Sequence, residues 1–245
     1  MSTYDDTTFF EKYQSMDRSQ KGLEGAGEWP ALQKLLPDFK NKRVLDIGCG
    51  YGWHCFYCIE QGASSVVGID PSLKMLQVAE SKKAEKGISV NNQITFQQLQ
   101  MEDMDFEKNS FDVVISSLAF HYTMDFDLVV KKINDFLQPG GQLVFSVEHP
   151  IFTSYGSGDW YYNEKKEIDH WPVDHYFKEG ARFPNFLGCQ VKKYHKTLTT
   201  YINTLLVNGF QLNQVVEPLP EPEMLAKWPD ETRRPMMLLI SATKL

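Results

Sequence analysis

The stretch Val44-Leu45-Asp46-Ile47-Gly48-Cys49-Gly50-Tyr51-Gly52 decides the fold. Val44, Leu45 and Ile47 read as the end of a strand buried in a parallel sheet. Gly48, Gly50 and Gly52 read as a sharp turn whose backbone faces a ligand, because glycine permits φ > 0 and a close approach of the main chain. The residues after Gly52 can form a helix, so the turn would offer amide N–H groups and a helix N-terminus to that ligand. Strand, glycine turn and helix together make half of a nucleotide-type site.

Working outward, Arg43 to Ile47 is the predicted first strand and Tyr51 to Gln61 the first helix, stopped by Gly62. Ser65 to Ile69 is a second strand with Asp70 at its C-terminal end, and Pro71-Ser72 opens a helix. Lys82 to Asn92 is a polar connection before a third strand at Ile94 to Gln97, and Gln98 to Ser110 is a loop. Phe111 to Ser116 is a fourth, apolar strand. A helix through Leu128, Val129, Ile133, Phe136 and Leu137 follows, closed by Pro139-Gly140-Gly141. Gln142 to Val147 is a fifth strand. This alternation implies an α/β fold: a doubly wound, mostly parallel sheet with ligands beyond the carboxyl ends of its strands. Asp46, Asp70, Gln100, Ser116 and Glu148 all sit near such ends.

The flanks differ in character. Met1 to Pro37 carries Phe9, Phe10, Tyr13, Met16, Leu23, Trp29 and Leu32, too apolar for a disordered tail, and reads as helices packed on the core. Between them, Arg18 and Glu24 to Trp29 could form a lid with Tyr13, Arg18 and Trp29 facing inward. Ile151 to Gln190 is irregular and rich in aromatics, and a long irregular insertion in a compact domain is usually functional. It reads as a cap over the cleft, with a hairpin around Trp160 to Ile168. Thr197 to Asn208 returns to helix, and Phe210 to Glu217 and Pro235 to Thr243 are two last strands. The expected organisation is one domain: residues 1–40 a helical lid, 41–150 the cofactor-binding core, 151–195 the cap, and 196–245 the final helix and strands.

Composition narrows the class. The 245 residues are 42% hydrophobic and 23% charged, an ordinary globular balance. No apolar run approaches the ~18 residues of a membrane span. Met1 to Gln20 lacks the apolar segment of a signal peptide, so a cytoplasmic location is expected. A formal net charge of −7 and the lack of a lysine- or arginine-rich block weigh against nucleic acid as partner. Cys55 and Cys58 form a C-x-x-C, but Trp53, Phe56, Tyr57 and Ile59 surround them. They read as buried packing thiols, and no metal site is expected.

Two ligands are disfavoured by the turn itself. A nicotinamide loop requires a small residue where this chain has Trp53, and it does not include an acid two residues before the first glycine, as Asp46 is. A Walker loop requires Gly-Lys-Ser/Thr, which is absent. Instead, Val44 to Gly52 resembles motif I of the class I S-adenosylmethionine-dependent methyltransferases. Val67-Gly68-Ile69-Asp70-Pro71-Ser72 resembles their acidic second motif. Asn109 to Val114 resembles the fourth-strand motif, and Leu137-Gln138-Pro139-Gly140-Gly141-Gln142-Leu143 the loop and fifth strand. The order and spacing are those of the methyltransferase type 11 group, and the specific match covers about Arg43 to Ser146.

The resemblance implies a seven-stranded Rossmann-like methyltransferase fold that binds S-adenosyl-L-methionine and releases S-adenosyl-L-homocysteine. It implies that Asp70, beside Pro71 and Met75, takes the ribose hydroxyls. Asp46 and the backbone of Gly48, Cys49 and Gly50 would face the methionine end. Met101 and Glu102 would border the adenine. Gln100 stands where the family usually has Asp, so the adenine amino group would meet an uncharged acceptor. Ser116 and Leu118 would border the sulfonium, with Tyr13 and Arg18 closing from the lid. Methyl transfer is an in-line displacement that depends on alignment, with a base where the nucleophile arrives protonated. His149, His121, His195 and Glu148 are the candidates for that base. The aromatic cap and negative charge favour a small, partly apolar or cationic acceptor, with the protein a monomer or homodimer. Methylation of a tRNA nucleoside, a non-catalytic cofactor-binding protein and, more distantly, a nicotinamide oxidoreductase are the alternatives.

Overall fold

The computed structural model describes residues 3–87 and 93–245; the expected connection over residues 88–92 lies outside the described residues. The chain opens with α1 (Thr7–Gln14), α2 (Asp17–Gln20) and α3 (Trp29–Leu35). The core then runs β1 (Arg43–Ile47), α4 (Trp53–Glu60), β2 (Ser65–Asp70), α5 (Leu73–Glu85), β3 (Ile94–Gln98), β4 (Phe111–Ser117), α6 (Phe126–Phe136) and β5 (Leu137–Glu148). A short α7 (Pro150–Thr153) leads into the cap. The cap holds β6 (Tyr161–Tyr162), β7 (Ile168–His170), β8 (Gly180–Arg182), β9 (Asn185–Phe186), β10 (Cys189–Gln190) and β11 (Lys193–His195). The chain closes with α8 (Leu198–Val207), β12 (Phe210–Val216), α9 (Pro222–Lys227) and β13 (Met237–Lys244).

The main sheet has seven strands in the order β12-β13-β5-β4-β1-β2-β3. β1 lies parallel between β2 and β4, so the glycine turn after β1 stands where the strand order reverses, the place where such sheets bind ligands. β13 runs antiparallel to both β5 and β12. The central strands are buried on both faces, as Val44, Leu45, Ile47, Val114, Ile115 and Val144 show. On one face α6 and α8 cover them, with Phe126, Val129, Ile133, Tyr201 and Leu205 in one cluster. On the other face, α4 and α5 bring Cys55, Phe56, Cys58 and Leu76 against Val44 and Val113, so both C-x-x-C thiols pack in the core.

Local signals set the element ends. Ser72, Asp125 and Thr197 each accept a backbone N–H from their helix's first turn, capping α5, α6 and α8. Gly62 and Gly209 stop α4 and α8 at φ values of +89° and +79°. Three elements differ from the sequence reading. α5 runs on to Glu85, over the first residues of the polar connection expected from Lys82. The first helix starts at Trp53 rather than Tyr51, because Gly52 is left-handed at φ +77° and cannot be helical. β5 begins at Leu137, before Pro139-Gly140-Gly141. Leu137 pairs with Phe111 while Gln142 pairs with Val113, and the intervening residues bulge out of the ladder. α9 and the 3₁₀ turn Pro229–Arg233 were not foreseen. Among the described residues no helix is long and apolar enough to cross a membrane.

Candidate active site

The glycine turn is held by its own backbone: the N–H groups of Gly48 and Cys49 both donate to the Ile69 carbonyl at the end of β2, 2.8 and 2.9 Å away. This folds the turn across the β1–β2 edge and brings it onto Asp70. One carboxylate oxygen of Asp70 accepts the Gly50 N–H at 3.0 Å and the other the Ser72 N–H at 2.8 Å. Burial pushes the Asp70 carboxyl up to about 6, against the pull of those two donors. At Gly48 a Cβ would stand 2.4 Å from the Ala119 Cβ, so only glycine lets β1 and the β4 end approach. At Gly50, where φ is +53°, a Cβ would project into open space with nothing within 4 Å. A side chain there would fill the cradle that the turn leaves.

Two buried carboxylate oxygens, Asp46 Oδ1 at the end of β1 and Glu28 Oε2 before α3, have no hydrogen-bond partner among the described residues. The other Asp46 oxygen accepts the Cys55 thiol at 3.2 Å, yet burial pushes the Asp46 carboxyl up to about 7. Glu28, on the lid loop before α3, is ion-paired with Arg18 and accepts the Ser117 hydroxyl at 3.1 Å. Its carboxyl stays below the usual range despite burial, because Arg18 faces it. Two orphaned acceptors and an open backbone cradle fit a ligand that brings several donors and a positive charge. The ribose diol and ammonium of S-adenosylmethionine supply such donors, and its sulfonium and ammonium supply positive charge.

The other predicted cofactor contacts fall as follows. Met75 is buried in the first turn of α5, and Pro71 is exposed beside Asp70. Met101 is 8% exposed and opens a 3₁₀ turn with Glu102, while Gln100 before it is exposed. Leu118 takes a left-handed φ of +53° and donates its N–H to the Ser146 carbonyl, which turns the chain sharply beyond β4. Ser116 faces the sheet interior, its hydroxyl bonded to the Ile47 carbonyl at 2.9 Å, and Ser117 is the one that reaches the lid. Tyr13 and Arg18 lie in the lid within electrostatic range of Asp70 and Glu28 respectively. Trp29 packs edge-on against Tyr57 and His54 of α4 and belongs to the core, contrary to the expectation that it faces the ligand.

The candidate bases are separated by their partners. His195 is 1% exposed, with Nε2 on the Tyr176 carbonyl at 2.8 Å and Nδ1 on the Thr153 hydroxyl at 2.7 Å. A carbonyl only accepts, so Nε2 carries the proton and Nδ1 accepts from Thr153. Both nitrogens are thereby committed to holding the cap. His149 caps α7 by accepting the Ile151 N–H at 3.0 Å, and its Nε2 lies 2.7 Å from Glu217, on the β12 side of β5. His149 lies just past β5, and its ring meets Glu217 while the Glu148 carboxylate meets Lys193. His121 Nδ1 accepts the Glu148 N–H at 3.4 Å, and burial holds its ring well below the usual titration range and neutral.

Glu148 stands at the end of β5 and is ion-paired with Lys193 of β11, a lysine only 5% exposed. The Lys193 ammonium lies over the rings of Phe186, at 5.1 Å, and Tyr122, at 5.9 Å. Tyr122 in turn shares a 2.9 Å hydrogen bond with the hydroxyl of Tyr4 in the lid. Glu28, Ser117, Tyr4, Tyr122 and Lys193 escaped the sequence reading because each comes from a different element and no spacing links them.

A parallel sheet with a glycine turn and an acid at the β1 and β2 ends defines the class of nucleotide-type cofactor enzymes. Comparison with known proteins narrows it. The family described as "Methyltransferase domain" matches residues 45–145. A Listeria monocytogenes structure solved as a candidate S-adenosylmethionine-dependent methyltransferase is 52% identical, with a TM-score of 0.81 over 89% of this chain and 98% of that one. An S-adenosylmethionine-dependent methyltransferase from Mesorhizobium loti is 37% identical, with a TM-score of 0.80 over 91% of this chain and all of that one. The chain belongs to the S-adenosylmethionine-dependent methyltransferases, and S-adenosylmethionine is its cofactor. A tRNA U34 carboxymethyltransferase of Methylococcus capsulatus is 35% identical over 118 residues, which are 48% of this chain and 35% of that protein.

Proposed function

We propose that the chain methylates a small molecule held under its lid and cap, with Glu148 taking the proton that the acceptor loses. One observation supports this reading: the first helix touches the aromatic insertion. Phe9 of α1 and Phe186 of β9 have ring centroids 5.9 Å apart, and Lys12 donates to the Leu187 carbonyl at 3.0 Å. A roof built this way encloses a small acceptor and would have to be removed for a folded nucleic acid. The net charge of −7 points the same way. In this reading residues 1–40, 41–150, 151–195 and 196–245 act as lid, core, cap and closing strands of one methyltransferase domain.

S-Adenosylmethionine supplies an activated methyl group on a sulfonium. The contribution of the protein is to fix the cofactor on Asp70, Asp46 and the Gly48–Gly50 backbone and to align the acceptor with it. With the cofactor bound, the acceptor atom would bond to the methyl carbon as the carbon–sulfur bond breaks, and the sulfur would leave as the neutral thioether of S-adenosylhomocysteine. The proton on the acceptor atom passes to Glu148. Among the four candidate bases, Glu148 is the one with a carboxylate oxygen that takes no hydrogen bond among the described residues. Both nitrogens of His195 and the capping nitrogen of His149 are already used.

The test is a generic assay for released S-adenosylhomocysteine over a panel of small phenols, amines and heterocycles, with bulk tRNA as a separate arm. Turnover of a small acceptor is expected, with Glu148→Gln lowering kcat by roughly 100-fold or more and leaving S-adenosylhomocysteine affinity within about twofold. Turnover of tRNA alone would replace the small-molecule reading with the one its partial relatives suggest. Cofactor binding without turnover in any arm would favour a binding protein.

A further inference from the structure

We propose that Asp5 is a positioning residue for the cofactor: by accepting the Ser72 hydroxyl it locks the N-terminal lid to the turn that presents Asp70 to the ribose. The proposal rests on the assignment of Asp70 as the ribose acid and goes beyond it by adding the residue that couples that acid to the lid. Asp5 lies in the 3₁₀ turn Thr3–Asp5, half-buried. One carboxylate oxygen accepts the Ser72 hydroxyl at 2.7 Å and the Lys74 N–H at 3.3 Å. Ser72 is fully buried, and it serves both acids: its hydroxyl goes to Asp5 and its N–H to Asp70. The same hydroxyl oxygen accepts the Met75 N–H and caps α5. Asp5 thereby fixes the rotamer of the capping serine and, through it, the geometry of the turn that carries Asp70.

The lid is fastened on both sides of this point. Lys74 Nζ donates to the Thr7 hydroxyl at 2.8 Å and lies over the Phe10 ring. The neighbouring Tyr4 shares its hydroxyl hydrogen bond with Tyr122, next to the Glu148–Lys193 pair. One dipeptide, Tyr4-Asp5, therefore bridges the ribose side of the cleft to its acceptor side. Closing the lid sets two carboxylates, Asp5 and Asp70, against one serine, and their like charge disfavours closure while Asp70 lacks further donors. Ribose hydroxyls donated to Asp70 relieve that repulsion, so cofactor binding and lid closure favour each other.

The test uses the full chain with S-adenosylhomocysteine as the probe. Calorimetry gives its affinity, and trypsin cleavage at the exposed Lys12 reports lid opening. In the wild-type protein the probe is expected to slow cleavage at Lys12. Asp5→Ala is expected to weaken probe binding roughly tenfold and to abolish that protection, the effect of losing a charge-assisted hydrogen bond. Asp5→Asn keeps an acceptor oxygen for Ser72 and Lys74 and removes the charge that opposes Asp70, so it is expected to keep most of the affinity and to protect Lys12 even before the probe is added. Tyr4→Phe, which cuts the other fastening, is expected to speed Lys12 cleavage with a smaller loss of affinity. Wild-type affinity and protection in Asp5→Ala, or an Asp5→Asn protein that behaves like Asp5→Ala, would overturn the proposal. Failure of the wild-type protein to bind S-adenosylhomocysteine would instead reject the assignment of the Asp70 site, and this proposal with it.

Discussion

Burial holds the Asp46 and Asp70 carboxyls at about 7 and about 6, so both titrate in the physiological range. A protonated carboxyl cannot accept from an ammonium or a diol at full strength. Affinity for S-adenosylhomocysteine is therefore expected to fall by roughly tenfold or more from pH 8 to pH 5, and a flat profile by calorimetry would contradict the placement of these acids. The same values set the sign for stability. Both acids titrate higher in the folded chain than near 4 when unfolded, so the folded state binds more protons between about pH 4 and 7. Their contribution makes the unliganded protein less stable as pH rises through that window. Asp46→Asn, which removes the buried charge, is expected to stabilise the unliganded protein by on the order of 2 kcal/mol at pH 8 and by nearly nothing at pH 4, measured by urea unfolding. The positions of Asp46 and Asp70 at the ends of adjacent strands were legible because each stands in a fixed frame of glycines and apolar strand residues. That Ser117 rather than Ser116 reaches the lid was not, since the facing of a strand's last residues depends on where its ladder ends.

Between elements, the Arg18–Glu28 pair joins α2 to the loop before α3, and the Ser117 hydroxyl ties both to the end of β4. Arg18 is a quarter exposed while Glu28 is almost fully buried. Removing the arginine strands a buried carboxylate, so Arg18→Met is expected to cost about 2–3 kcal/mol by urea unfolding, with Glu28→Gln in the same chain returning at least half of it. Additive losses in that double-mutant cycle would show the pair to be energetically uncoupled. The helices and strands themselves follow from local chemistry: the caps at Ser72, Asp125 and Thr197, and the stops at Gly62 and Gly209, are written in single residues. The start of β5 was not, because Pro139-Gly140-Gly141 reads as a break and becomes a bulge only when Leu137 finds Phe111 across the ladder.

At the scale of the whole molecule, the insertion over residues 151–195 is joined to the core by the Lys193–Glu148 pair, the His195–Thr153 bond ties its two ends together, and Lys196 just beyond it bonds the Thr123 carbonyl. Of these contacts, the one to Glu148 involves the proposed base rather than the proposed cofactor residues. Lys193→Met is accordingly expected to speed amide exchange in β8 and β11 by roughly tenfold while S-adenosylhomocysteine affinity stays within about twofold. Unchanged exchange would mean that the cap is held without this pair. The sequence alone determined the sheet, the glycine turn and the cofactor family, because each depends on short-range patterns: buried runs of a parallel strand, glycine at forced backbone angles, an acid at a strand end. Only the tertiary structure decided which partners Glu148, His121, His149 and His195 take, and which residues of the N-terminal helices and of the aromatic insertion touch. Those outcomes depend on contacts between residues as far apart as Tyr4 and Tyr122 or Glu148 and Lys193. No local spacing records such contacts, because they exist only once the chain has packed.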